Sequence, residues 1–331
     1  MTEKTMYQQI SEAIGAGNST IIPEIIEMLA DENEAKVLLA ASPPATVEEI
    51  VKKTGIQKEE VGKMMDPLFK KGLVFKSIKE GTTRYYRVRH LLQFHDSTIL
   101  AEGMPPEFFD LWKRYNKTEF KQHHKEIEAF LDKSAVRVVP VNIAIEPDTR
   151  IAPFDDVKEI IKNARSLAVT KCTCRVIEGD CGKPIDVCIQ INKAADYALD
   201  RGSGRELSKE EAIDMLKMCE EKGLVHTVMN TKALGHVICN CCDDCCINWP
   251  GPRTSEVNFA CPSRFTAVVD TDTCSGCETC LERCYFEAIT MEDEIAVISE
   301  GNCMGCGLCA VTCPDESITL KEIRNEEFIP G

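Results

Sequence analysis

Apolar positions three and four apart mark IIPEIIEML and EAKVLLAAS, over 21–29 and 34–42, as helices. ATVEEIVKKTG follows, with Thr46 and Glu49 at capping-box spacing and Gly55 where a helix would close. QKEEVGKMMDPLFKKG predicts a third helix, and the pattern then shifts to a strand pair. That pair is LVFKSI and TRYYRVR, joined by Lys79-Glu80-Gly81-Thr82. Residues 91–135 read as a helical connector, with Phe108, Phe109, Leu111 and Trp112 packing on a neighbouring domain. Further on, RVVPVNIAI and SLAVT read as strands, separated by a helix over DDVKEIIKNAR. ELSKEEAIDMLKMCEEKG predicts another helix, opened by a capping box at Ser208 and Glu211 and leading into GLVHTV.

The end of the chain is a duplication. Cys274, Cys277, Cys280 and Cys284 recur 29 residues later as Cys303, Cys306, Cys309 and Cys313. Gly276 pairs with Gly305, and EAIT with ESIT. Glycine inside each loop permits close backbone approach, and the fourth cysteine of each set is expected to begin a helix. A zinc ribbon is the rival reading, but it uses two pairs of cysteines rather than two sets of four.

All nineteen cysteines fall at or after Cys172. A disulfide framework would spread along the chain, whereas clusters at short spacings point to thiolate-bound metal. Eleven of them lie outside the repeat. Cys172 and Cys174 sit in KCTCR at the end of a predicted strand, with Cys181 and Cys188 beyond. Cys239, Cys241, Cys242, Cys245 and Cys246 crowd into ICNCCDDCC. Five thiols in eight residues neither ligate one ion together nor pair well as disulfides. A subset of these nine forms a candidate third site, for which three readings compete: a third iron–sulfur cluster, a zinc ion, or a redox-active or substrate-binding thiol group. Cys219 reads as a buried apolar residue and Cys261 as a loop residue. His226 and His236 are expected to make ordinary hydrogen bonds, and His123 and His124 to face solvent.

Charge separates the regions. Residues 1–100 carry 14 acids and 13 bases, a net of −1; residues 270–331 carry 14 acids and 3 bases, a net of −11. The cysteine-rich end therefore repels nucleic acid and suits a partner oxidoreductase with a basic docking surface. The opening MTEKTMYQQISEAIGAG lacks the basic and apolar regions of a secretory leader, and no run of eighteen apolar residues occurs. A cytoplasmic, oxygen-poor setting with no membrane association is the expectation. No GxGxxG or P-loop is present, and no substrate pocket is indicated.

Three resemblances follow from these motifs. The helices and hairpin of 20–90 resemble the winged-helix domains of small bacterial transcriptional regulators. The cysteine repeat resembles bacterial two-cluster ferredoxins, with Pro314 after Cys313 as in that family but Tyr285 after Cys284. That resemblance implies one 4Fe–4S cluster on Cys274, Cys277, Cys280 and Cys313, and a second on Cys303, Cys306, Cys309 and Cys284. Residues 136–331, with CTCR and CNCC blocks before a ferredoxin domain, resemble 4Fe–4S-binding proteins of anaerobic microbes, a family with no settled reaction to lend.

The expected fold is therefore multidomain α+β. It comprises a winged-helix-like domain (1–90), the connector (91–135), a cysteine-rich α/β domain (136–262) and a two-cluster ferredoxin domain (263–331). Three functions compete: an electron carrier serving a partner oxidoreductase; a redox-sensing regulator that binds DNA; and a reductase with its chemistry at 239–246. Against DNA stand Glu59 and Glu60 at the start of the recognition helix, and Pro67 within it. Arg84, Arg87 and Arg89, with Tyr85 and Tyr86, are the residues able to grip a backbone. Otherwise the domain serves in homodimerisation or in docking a partner enzyme.

Overall fold

The computed structural model describes residues 3–128, 133–145, 151–179, 181–249 and 260–331. They form two compact units: 1–127 with 201–203, and 128–200 with 204–331.

In the first unit the helix Val47–Thr54 opens with a reciprocal Thr46–Glu49 box. It closes on Gly55 at φ 73°, a conformation that costs a residue without Cβ little. The helix Lys58–Lys70 runs through Pro67. The strands Val74–Lys79 and Thr82–Arg87 pair antiparallel, and Glu80 and Gly81 both take positive φ, as a two-residue hairpin requires. The helix Pro106–Thr118 buries Phe108, Trp112 and Tyr115 completely within this unit, against the helix Ile21–Leu29 and Phe94. His123 and His124 were expected on a solvent face but are 3% and 4% exposed. The polar look of KQHHKE conceals aromatic neighbours: His123 Nδ1 meets the Tyr115 hydroxyl at 3.0 Å, and His124 packs edge-on to Phe120.

A seven-stranded sheet organises the second unit. Its order is Gly204–Glu206, Leu167–Lys171, Asp186–Ile191, Val237–Cys241, Val225–Met229, Val136–Val138 and Ala260–Cys261. All pairings are antiparallel except the last. The long strand expected over 137–145 stops at Val138, and a 3-10 turn follows at Asn142–Ala144. Pro140 lies between them and has no N–H to give a ladder. The helix Lys209–Glu221 carries the expected Ser208–Glu211 box.

The cysteine repeat packs into this same unit. Val138, Val141, Phe265, Leu308 and Leu320 share one core. The Val141 N–H donates to the Cys306 carbonyl at 2.9 Å, and the strand Phe265–Val269 pairs with Ile318–Glu322. Asp155 is wholly buried between Arg137, at 3.0 Å, and Arg264, at 2.6 Å. No helix among the described residues is long and apolar enough to cross a membrane.

Candidate functional site

In each half of the repeat a loop presents two cysteines, a left-handed residue turns the chain, and a short helix carries the third. The turning residues are Glu278 (φ 60°) and Gly307 (φ 81°), and the helices are Thr279–Arg283 and Leu308–Val311. The fourth cysteine does not begin a helix as expected. Cys284 caps the end of the first helix, and Cys313 lies just past the second, because each helix stops after about one turn to let the chain enter the next strand.

Two cavities result, and each draws three cysteines from one loop and the fourth from the other. The first is lined by Cys274, Cys277, Cys280 and Cys313. The second is lined by Cys303, Cys306, Cys309 and Cys284. Gly276 and Gly305 sit at φ 70° and 64°, where a Cβ would meet the Glu294 carbonyl oxygen at 2.4 Å and the Phe265 carbonyl oxygen at 2.2 Å.

Backbone N–H groups point at the sulfurs. Ala267 and Gly305 donate to Cys303 Sγ at 3.4 Å, and Ser317 donates to Cys313 Sγ at 3.3 Å. Exposed Cys277 is held below the ordinary thiol range by Thr279, whereas burial pushes Cys306 up to about 12. The donor set fits a soft metal cluster: four convergent thiols per cavity with amide donors behind them.

The two cavities differ in charge. Glu278 and Asp315 line the first, and Arg283 lines the second. Arg283 also donates to the Glu221 carbonyl at 2.9 Å, tying the second cavity to the end of the helix Lys209–Glu221. Tyr285, the departure from the ferredoxin pattern, makes an edge contact with Trp249. Trp249 in turn stacks on Phe286 at 5.4 Å, and Phe286 lines the second cavity.

The nine cysteines of the middle region gather toward one end of three neighbouring interior strands of the large sheet. The strands Leu167–Lys171 and Val237–Cys241 both end there, and Asp186–Ile191 begins there. Six thiols make a closed circuit of neighbours. Cys172 contacts Cys174, and Cys174 contacts Cys246. Cys246 lies 3.3 Å from Cys241, Cys241 contacts Cys239, and Cys239 contacts Cys188, which lies near Cys172. The other three, Cys181, Cys242 and Cys245, form a separate group with sulfurs within 4.8 Å of one another. The thiols share protons: bonds from Cys239 and Cys246 bring Cys241 well down, while Cys239 itself is pushed up by its contacts with Cys188 and Cys241.

Arg175 stands between the groups. Its side chain is 1% exposed, donates to the Pro184 and Asn240 carbonyls at 2.9 and 2.7 Å, and bonds the Cys242 thiol. Burial alone would lower its pKa, but Cys172, Cys242 and Cys241 outweigh that and the net shift is upward. No carboxylate pairs with it among the described residues. Sequence reasoning passed over Arg175, Arg283 and Trp249; the signals were the final residue of CTCR, one of the three bases in the acidic tail, and one of only two tryptophans.

The remaining candidates take quieter places. Cys219 is fully buried, and Cys261 is half-buried on an edge strand. His226 bonds Asn240 at 2.6 Å and Glu220 at 3.3 Å, and His236 is exposed.

Residues 266–314 match the 4Fe-4S dicluster domain family. No curated protein matches the chain. The C-terminal part is thus an iron–sulfur domain of a kind suited to electron transfer.

Proposed function

We propose that the protein is an electron carrier that binds two 4Fe–4S clusters and exchanges single electrons with a partner oxidoreductase. Cys274, Cys277, Cys280 and Cys313 hold one cluster, and Cys303, Cys306, Cys309 and Cys284 hold the other. The observation that carries this reading is the exchange of the fourth cysteine between two neighbouring four-thiol cavities. Each bound cluster supplies one-electron redox chemistry; the chain's own residues decide where that charge is tolerated. Glu278 and Asp315 disfavour added negative charge at the first site, and Arg283 favours it at the second. Exposed Cys277, on the acidic surface, marks the side presented to a basic partner.

The first unit, read as winged-helix-like, is assigned to docking or dimerisation rather than to DNA. Arg84 is engaged by both carboxylate oxygens of Glu49 at 3.0 Å, and Arg89 lies over the Tyr86 ring. Two of the wing's three arginines are thus already partnered within the hairpin and its neighbours. A cytoplasmic setting belongs to the same proposal.

The test is protein purified without oxygen. About eight irons and eight sulfides per chain belong to the two ferredoxin sites, and more implies the middle region as well. Reduction should give electron paramagnetic signals from two interacting clusters. Colourless protein, or zinc in place of iron at these eight cysteines, would end the proposal.

A further inference from the structure

Metal geometry separates Cys181, Cys242 and Cys245 from the chain's other thiols. Four-coordinate zinc with Zn–S near 2.3 Å sets sulfurs about 3.8 Å apart. Cys181 and Cys242 lie 4.0 Å apart, and all three sulfurs fall within 4.8 Å. Among the described residues no other three Cys, His, Asp or Glu ligand atoms approach so closely, the eight ferredoxin cysteines included. Those eight stand around cavities, with each sulfur offered to a different corner of a cluster.

An independent observation points the same way. A buried guanidinium without a carboxylate is costly, and among the described residues Arg175 bonds carbonyl oxygens and the Cys242 thiol but no carboxylate. A divalent ion on three thiolates carries one net negative charge, which Arg175 balances.

We propose that Cys181, Cys242 and Cys245 bind a single zinc ion, distinct from whatever the six-thiol circuit holds. Binding expels the three thiol protons to solvent. Two ligands come from the turn after the strand Val237–Cys241 and one from the loop after the helix Thr173–Glu178, so the ion pins these segments together across Arg175. Three protein ligands leave the fourth tetrahedral position to water or to an incoming thiol or other soft ligand. Asp244 accepts from Cys245 Sγ at 3.6 Å without joining the three.

The test uses full-length protein purified anaerobically in zinc-containing medium, with C181S and C245S beside it. The unaltered chain should carry about one zinc, with an X-ray absorption fine-structure shell of three sulfurs near 2.3 Å. Each variant should lose zinc at least tenfold while iron, sulfide and the reduced-state magnetic signals stay unchanged. If iron and sulfide fall with C245S, the three thiols belong to an iron–sulfur cluster and the proposal fails. A zinc shell of oxygen and nitrogen only, or zinc retained by both variants, would also overturn it. Should C245S not accumulate, half-buried Cys181 and the spectrum of the unaltered chain decide. Because the magnetic signals report the ferredoxin sites separately, loss of the zinc reading and loss of the electron-carrier reading are distinguishable.

Discussion

Arg264 Nε donates to Asp155 Oδ2 at 2.6 Å, with both side chains buried. Asp155, in the 3-10 turn Pro153–Asp155, thereby links Arg264, just before the strand Phe265–Val269, to Arg137 on the large sheet. Asp155→Asn would leave two buried guanidinium groups facing a neutral amide. Removing one partner of a buried pair costs about 3–5 kcal/mol. The urea midpoint of the anaerobic protein should fall accordingly. Cluster absorbance and hydrogen-exchange protection of the large-sheet amides should be lost together in both proteins, since sheet and repeat share one core. Two separated transitions would show that the repeat folds by itself.

The loop glycines carry a second expectation. At Gly305 a Cβ would lie 2.2 Å from both the Phe265 carbonyl oxygen and Ser263 Oγ, at a φ that L side chains rarely adopt. Gly305→Ala must displace the loop that presents Cys303 and Cys306, and Gly305's own N–H bond to Cys303 Sγ goes with it. Backbone strain of this kind costs about 1–3 kcal/mol. Gly305→Ala should therefore lose the second cluster selectively, reducing iron by about half in a two-cluster protein. Gly55→Ala, at a similar φ with open space around it, should leave iron unchanged.

What could be read from the chain was local. The box at Thr46 and Glu49, the box at Ser208 and Glu211, and the Glu80-Gly81 turn each depend on residues within a few positions of one another. The cysteine repeat was legible for the same reason, because each loop is set by its own spacing. What escaped depended on pairing at a distance. Cys172, Cys188 and Cys239 become neighbours only because three strands align in one sheet, and nothing in KCTCR or ICNCCDDCC states that register. The division of nine thiols into six and three was hidden likewise. His123 and His124 were misplaced because their polar flanks outweigh, in a local reading, the aromatic residues that cover them.

Glu119 supplies a pH-dependent contribution in the first unit. It accepts the hydroxyl bonds of Ser19 and Thr20 and the Thr20 N–H, at the start of the helix Ile21–Leu29. Burial opposes its charge, but these donors and His123 outweigh burial and lower its pKa. A carboxylate with a depressed folded-state pKa stabilises above the ordinary glutamate range and loses that contribution as pH falls through the folded value. Glu119→Gln should thus be less stable than the parent at pH 7, by under about 1 kcal/mol given its partial exposure. The difference should shrink as pH falls through the folded-state pKa, which lies below the ordinary glutamate value, and vanish once the parent's carboxyl is protonated in both folded and unfolded chains. A gap that widens on acidification would contradict this assignment.

Arg283 offers the sharpest test of the electrical asymmetry. It lines the second cavity and is anchored on the carbonyls of Glu220 and Glu221, so its charge is fixed beside that site rather than mobile in solvent. Arg283→Gln removes that charge and leaves all eight repeat cysteines in place. Negative charge added at the second site then becomes less favourable, and its reduction potential should drop by some tens of millivolts, on the order expected for one partly screened charge nearby. The first site, whose neighbours are Glu278 and Asp315, should shift less. Potentiometric titration followed by magnetic resonance distinguishes the two. Trp249→Leu removes the ring stacked on Phe286 but no charge, and should leave both potentials near their parent values. Equal shifts at both sites in Arg283→Gln would mean that this guanidinium does not set the difference between them.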